Sequence, residues 1–229
     1  MLGLLIALVT CLVLAVSRFR RRRRSTAFLG AVLRGDPAEV RALVDRGYGL
    51  GISDARGDTA LHYAYYAGDH ELVQTLLALG AREESYNRDG LLPHQLAEVA
   101  EAELRIEELV DLLRRYDGEA TARAAELAEE LRPYHRAPVY PAALTNVLAR
   151  TGDGEPLRAV LLTAIRVGRP DFLAVLEEEL GRRGDREIAE DYLNSGSPRL
   201  GYAAQRWAEG HRFAITDHGE GARAGWGRL

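Results

Sequence analysis

A recurrence every 33 residues governs what this chain can become. Thr26, Thr59 and Leu92 stand 33 apart, and in the same register Ala31, Ala64 and Ala97 coincide. Gly57 falls on Gly90, Gly35-Asp36 on Gly68-Asp69, Val40 on Val73, Leu43 on Leu76, Val44 on Leu77 and Gly47 on Gly80. A unit this short cannot bury an apolar face by itself, so the period implies stacked copies that share one continuous core. The middle copy carries the local signals of a helical hairpin. Leu72, Val73, Leu76 and Leu77 recur at i, i+1, i+4 and i+5, which makes a buried helical stripe. Thr59 is placed to cap the helix that follows it, and small Ala64 lets neighbouring helices approach closely. Gly68 turns the chain between two helices, Gly80 sits at a helix end, and Asp54 to Asp58 around Gly57 has turn chemistry.

The best copy, DARGDTALHYAYYAGDHELVQTLLALGA from Asp54 to Ala81, resembles the ankyrin repeat. That family's Thr-Pro-Leu-His motif followed by Ala is met as Thr59-Ala60-Leu61-His62-Tyr63-Ala64. Its inter-helix Gly is met as Gly68, its Leu pair as Leu76-Leu77 and its Gly-Ala exit as Gly80-Ala81. Residues 24–56 read as a degenerate first repeat and 90–118 as a divergent last one. Ala60 replaces the family's Pro, and Leu92-Pro93-His94 moves a His into the Leu slot. Residues Ala100 to Arg105 read as added length, so the last repeat is expected to hold a lengthened helix pair ending at Asp117-Gly118. The resemblance implies a structural His62 that hydrogen-bonds within the turn network. It also implies recognition of proteins through the turn tips and the exposed side of each first helix. In this chain those positions are Ala55, Arg56, Asp58, Tyr65, Tyr66, Arg88, Asp89, Leu91, Glu98 and Val99. Arg56, Asp58, Tyr65, Tyr66, Arg88 and Asp89 form the candidate partner-binding set, because aromatic rings beside guanidinium groups dominate interface energetics. Tyr65 stands where a small Ala is usual; the alternative for it is gap-filling within the array.

Beyond residue 118 the pattern is helical but different. Glu119 to Leu131 places Ala124, Leu127, Ala128 and Leu131 on one face, and Pro133, Pro138 and Pro141 interrupt it. Ala142 to Arg150 reads as a short helix closed by Thr151-Gly152-Asp153-Gly154. Pro156 to Val167, a segment opened by Pro170, Glu187 to Asn194 and a segment opened by Pro198 follow. Gly168-Arg169-Pro170 and Gly196-Ser197-Pro198 lie 28 apart, each with Pro at a helix start, where its missing N–H costs nothing. This stretch resembles a HEAT-type array of helical hairpins. The Gly-rich tail from Phe213 reads as a loop or short strand, with Trp226 packed back on the last helix.

The first 17 residues, MLGLLIALVTCLVLAVS, carry no charge and span roughly 25 Å as a helix, at the short end of a bilayer crossing. Arg18 and Arg20 to Arg24 follow at once. A cleaved export signal would need its positive charge before the apolar stretch and a small-residue cleavage site after it, and neither is present. A lipoprotein signal at Cys11 has Thr10 in a poor place and an apolar run continuing past it. The preferred reading is a permanent anchor in which Leu4, Leu5, Leu8, Leu12 and Leu14 meet lipid and Arg18, Arg20, Arg21 and Arg22 hold the headgroups. The positive-inside rule then sets the N-terminus outside and the repeats in the cytoplasm, a single pass of the cell membrane.

Charge and chemistry exclude several classes. All 30 basic residues are Arg, six of them within residues 1–24, so the remainder is acidic by about 10 charges. It offers no broad basic face for nucleic acid. A single Cys excludes an intrachain disulfide and a Cys-based zinc site. Gly219 to Gly227 lacks the strand and helix that a phosphate loop needs. His211, Asp217 and His218 lack a further ligand at fixed spacing, and Glu177-Glu178-Glu179 reads as a solvated helix face rather than an acid–base pair. No Ser or Cys sits in a nucleophile motif.

The expectation is therefore an all-α chain: an N-terminal transmembrane helix (1–17), a basic juxtamembrane segment (18–24), ankyrin-like repeats (25–118) and a HEAT-like helical-repeat region (119–229) that completes an α-solenoid. It needs no catalytic, cofactor or metal residues and no small-molecule substrate. The expected role is a membrane-anchored adaptor or scaffold for another protein. The alternatives are an accessory subunit of a larger membrane complex, an immunity or inhibitor protein with an acidic concave face, and a periplasmic repeat protein. The Arg-only, Ala- and Gly-rich usage points to a GC-rich, bacterial genome.

Overall fold

Where a Gly-Asp pair stands, one helix ends and the next begins. In a computed structural model, which describes residues 26–115, 118–132, 138–216 and 225–227, α1 (26–33) is followed by Gly35 with φ of 62° and then by α2 (Pro37–Asp45). Thirty-three residues on, α3 (Ala60–Tyr66) gives way at Gly68, with φ of 66°, to α4 (His70–Ala78). The Asp of each pair is the N-cap: Asp36 accepts from Glu39 N–H and Asp69 from Leu72 N–H, both at 2.9 Å. Phe28, Val32, Val40, Leu43, Leu61, Leu72, Val73 and Leu76 are buried together as the core of this N-terminal unit.

The last repeat corrects the reading above. It is not a lengthened helix pair but one helix, α5 (Gln95–Arg115), of 21 residues. No residues are added: Ile106, Leu109 and Val110 stand 33 after Val73, Leu76 and Leu77. What has gone is the break, because Glu101-Ala102 occupies the Gly68-Asp69 register. Without a residue suited to left-handed backbone and without a cap side chain, the helix runs on. The compact units of the chain, Met1–Ala100 and Glu101–Leu229, part inside α5.

The C-terminal unit continues with α6 (Gly118–Leu131), α7 (Val139–Arg150), α8 (Glu155–Val167), a 3-10 turn (Pro170–Phe172), α9 (Leu173–Arg183), α10 (Arg186–Leu193) and α11 (Pro198–Gly210). Pro141 does not interrupt α7; it lies in the first turn, where an N–H is not required. Gly184-Asp185 repeats the hairpin device of the first unit, with Asp185 accepting from Ile188 N–H at 2.9 Å. Two guanidinium groups tie helix ends. Arg169, fully buried, donates to Leu131 O at 2.7 Å and, through both sides of its fork, to the Asp171 carboxylate. Its Cζ lies 4.0 Å from the centre of the Tyr140 ring. Arg183 donates to Leu148 O at 2.8 Å and Thr151 O at 2.9 Å, the carbonyls that α7 leaves unpaired. Glu179 is accordingly not a solvated residue: it is buried and paired with Arg182 and Arg183, while Glu177 accepts a bidentate pair from Arg199.

The tail forms an antiparallel pair, β1 (Ala214–Thr216) with β2 (Gly225–Gly227). The side chain of Trp226 lies outside the described residues, as do Asp217 and His218. The transmembrane expectation is corrected too. Among the described residues no helix is long and apolar enough to cross a membrane, so neither a membrane-spanning fold nor a single-pass placement in the cell membrane is supported. Residues 1–17 and the Arg block, with the anchoring residues Leu4, Leu5, Leu8, Leu12, Leu14, Arg18, Arg20, Arg21 and Arg22, lie outside the described residues.

Replacing Asp69 by Ala removes the cap that starts α4 and is expected to lower the unfolding free energy by about 1 kcal/mol. Urea denaturation followed by circular dichroism measures the change.

Candidate functional site

Two consecutive turns, 54–58 and 87–91, lie against each other in the N-terminal unit, and the polar groups that join them are directed inward. Each turn is organised by a side-chain acceptor at its first position. Asp54 Oδ1 accepts from the N–H groups of Arg56 and Asp58, both at 2.8 Å. Asn87, 33 residues later, accepts through Oδ1 from Asp89 N–H at 3.0 Å and Leu91 N–H at 2.9 Å. Three bonds then cross between the turns. Asn87 Nδ2 donates to Asp58 Oδ1 at 2.7 Å, Arg88 N–H donates to Arg56 O at 2.8 Å, and His62 Nε2 lies 3.2 Å from Leu91 O. Gly57 permits this approach: its φ is 82°, and a Cβ there would come within 3.2 Å of Arg88 N and 3.3 Å of Asn87 Cα.

His62 also serves its own helix. Its Nδ1 accepts from Thr59 N–H at 3.2 Å, so the ring stands where a capping box has Glu or Gln. With Nδ1 accepting, the proton on Nε2 is the one donated to the Leu91 carbonyl. Gln95, 33 residues on, does the same for the next helix by accepting from Leu92 N–H at 2.8 Å.

The structure divides the sequence-derived candidates. Asp58 is buried (7% exposed) and engaged with Asn87, so it holds the turns rather than facing solvent. Leu91 and Val99 are fully buried, contrary to the exposed positions expected for them, because both take part in the core. Tyr65 is half-buried against the core, with its hydroxyl 3.4 Å from Glu83; burial and that carboxylate raise its pKa. Tyr66 is also half-buried. Arg56, Arg88 and Asp89 are exposed, and Arg56 donates to Asp89 at 2.8 Å across the two turns. Its guanidinium is held further into the charged form by Asp89, Asp58 and Asp54, against the opposing effect of burial.

Sequence reasoning missed Tyr86. It precedes the second turn and is 68% exposed, immediately beside the Asn87 hinge and near Arg88 in the chain. The only signal would have been its register: Ser53, a small polar residue, holds the same place in the turn before.

Two features expected to be inert have definite partners. His211 donates from Nδ1 to Trp207 O at 2.8 Å and stacks on the Trp207 ring at 4.1 Å. Tyr63 donates to Asp54 Oδ2 at 2.9 Å, and its pKa is pushed up to about 12, first by burial and then by the Asp54 carboxylate.

The comparisons with known proteins agree with this geometry. The ankyrin-repeat family, described as "Ankyrin repeats (3 copies)", matches residues 5–119, and the chain belongs to that family. The chain is also similar to mouse (Mus musculus) oxysterol-binding protein-related protein 1, 37% identical over 89 residues. That stretch is 38% of this chain and only 9% of the mouse protein's length. A solved structure titled EF0377, an ankyrin repeat protein, is 21% identical with a TM-score of 0.31, covering 79% of this chain and 97% of the other. The family match ends at residue 119, so the HEAT-like reading of the C-terminal half draws no support from it.

Two outcomes check the turn network. Asn87→Ala strands the buried Asp58 carboxylate and should cost about 1–3 kcal/mol of stability in urea. Because the folded state keeps the Tyr63 proton up to about pH 12 while an unfolded tyrosine loses it near 10, stability should fall as pH rises through that window. Tyr63→Phe should remove that fall, and in the native wild-type protein the phenolate absorbance of one tyrosine should appear only near pH 12.

Proposed function

We propose that this chain is an adaptor whose ankyrin turns grip a partner protein, without chemistry of their own. Ankyrin repeats are protein–protein interaction modules, and three of them make up the matched region. The finer reading assigns the contact to the exposed residues of the two turns and the helix beside them: Arg56, Arg88, Asp89, Tyr86 and Tyr66. Tyr65 and Asp58 act from beneath, one filling space and the other fixing the turns.

The observation that carries this reading is the 68% exposure of Tyr86 on a turn whose inward polar groups are already satisfied. A large ring held in water by a rigid turn gains most when a partner covers it. Arg88 adds a planar donor fork on the same turn. Rigid presentation lowers the entropy lost on binding, since the turn is ordered before the partner arrives.

The test is affinity capture with the full chain, identification of the retained protein by mass spectrometry and a binding titration with that protein purified. Tyr86→Ala with Arg88→Ala should weaken binding at least tenfold while leaving the circular dichroism and the urea midpoint nearly unchanged. Arg212→Ala, outside the repeats, should leave binding unaltered. Equal affinity of the double variant and the native protein would refute the assignment of the contact.

A further inference from the structure

The C-terminal unit has a groove that the ankyrin turns do not use. It has a volume of about 820 Å3 and lies between the C-terminal half of α5, with the start of α6, and helix α8. Its floor is apolar. Leu112 and Leu113 come from α5, and Ala159, Leu162 and Ile165 come from α8. Leu162 is 40% exposed, although Leu157, Val160, Leu161 and Ala164 of the same helix are buried. The row Ala159, Leu162, Ile165 runs at i, i+3, i+6, which is a ridge of the kind that one helix offers to the grooves of another. α8 therefore presents two apolar faces, one covered by its own unit and one open to this groove.

The rim carries the second argument. Arg114 and Arg166 line the groove and are exposed, and among the described residues neither has a carboxylate partner within 4.0 Å. This sets them apart from Arg158 in the same groove, which is bonded to Asp191 and Glu187, and from Arg150, which is bonded to Glu103 and Glu107. In a region where guanidinium groups are so regularly matched to carboxylates, two unmatched ones flanking an apolar floor define what is missing: an occupant that is apolar in the middle and acidic at its edges.

We propose that this groove seats an amphipathic α-helix of a partner protein, its leucine-type stripe against Leu112, Leu113, Leu162 and Ile165 and its flanking carboxylates against Arg114 and Arg166. The occupant is a helix because the floor is built from two helices with residues at helical spacing, which matches side chains recurring at i, i+3, i+4 and i+7. It is acidic because of the two guanidinium groups, whose fork geometry suits carboxylates. This surface is separate in sequence from the ankyrin turns, and the proposal does not depend on them.

The full chain is titrated with three synthetic 18-residue Ala-based peptides, followed by fluorescence anisotropy. The first has Leu at i, i+3, i+4 and i+7 with Glu on both edges, the second has Lys in place of every Glu, and the third has the composition of the first with its stripe scrambled. The Glu peptide should bind at least tenfold more tightly than either other peptide. Arg114→Glu with Arg166→Glu should reverse the preference between Glu and Lys peptides, and Leu162→Gln should weaken both. The peptide comparison needs no variant, so loss of folding in a variant cannot rescue the idea. Equal binding of the three peptides, binding by none, or a preference untouched by the charge reversal overturns it. So does displacement of the bound Glu peptide by dodecanoate at equimolar concentration, which would mark the groove as a site for a small amphiphilic acid. A double variant, Tyr86→Ala with Arg88→Ala, should bind the Glu peptide as the native chain does.

Discussion

The amide of Asn87 against the carboxylate of Asp58 is the contact on which the repeat region depends. It is buried, charge-assisted and 2.7 Å long, and it ties one turn to the next across 29 residues. Around it the Arg88 to Arg56 backbone bond and the His62 to Leu91 bond complete the join. Each group has given up water, so the loss of one strands another in a dry place. That interdependence makes the outer surface of the turns a rigid platform. It also explains why Gly57 must be glycine: the join brings the Arg88 backbone to where a Cβ would stand.

The C-terminal unit solves the same problem by a different means. Its helix ends are closed by guanidinium groups that reach carbonyls and carboxylates at once, as Arg169 does with Leu131 and Asp171, and Arg183 with Leu148, Thr151 and Glu179. A lysine ammonium lacks the planar fork that lets one side chain bind a carboxylate with two parallel bonds while a further N–H serves a carbonyl. The Arg-only composition of the chain thereby acquires structural use, whatever its origin in the genome. The same economy makes Arg114 and Arg166 conspicuous, since both stand on a groove without a matching carboxylate among the described residues.

Much of the repeat architecture could be read from residues one at a time. The Gly-Asp pairs, the Leu pairs and Thr59 with His62 announce helix starts and ends through local chemistry, and α2, α3 and α4 follow them. The error in the last repeat came from judging length instead of the break. Glu101-Ala102 in the Gly-Asp register already said that no turn would form there. The error over Glu179 had another origin: three consecutive acids look alike in sequence, and only the positions of Arg182, Arg183 and Arg199 distinguish them.

The sequence by itself determined the period, the helices and the family, because each depends on interactions spanning a few residues and repeated on a fixed step. Only the tertiary structure decided which polar side chains turn inward and which stay outside. Asp58 and Asp89 both flank a turn glycine, yet the first is buried by Asn87 of the following turn and the second is left in solvent beside Arg56. The direction of a turn side chain is set by what the next repeat places opposite it, and that neighbour lies 29 to 33 residues away, beyond the reach of any local rule. The same reason hid Tyr86 and the α5–α8 groove, whose character comes from surfaces that no part of the chain was found to cover among the described residues.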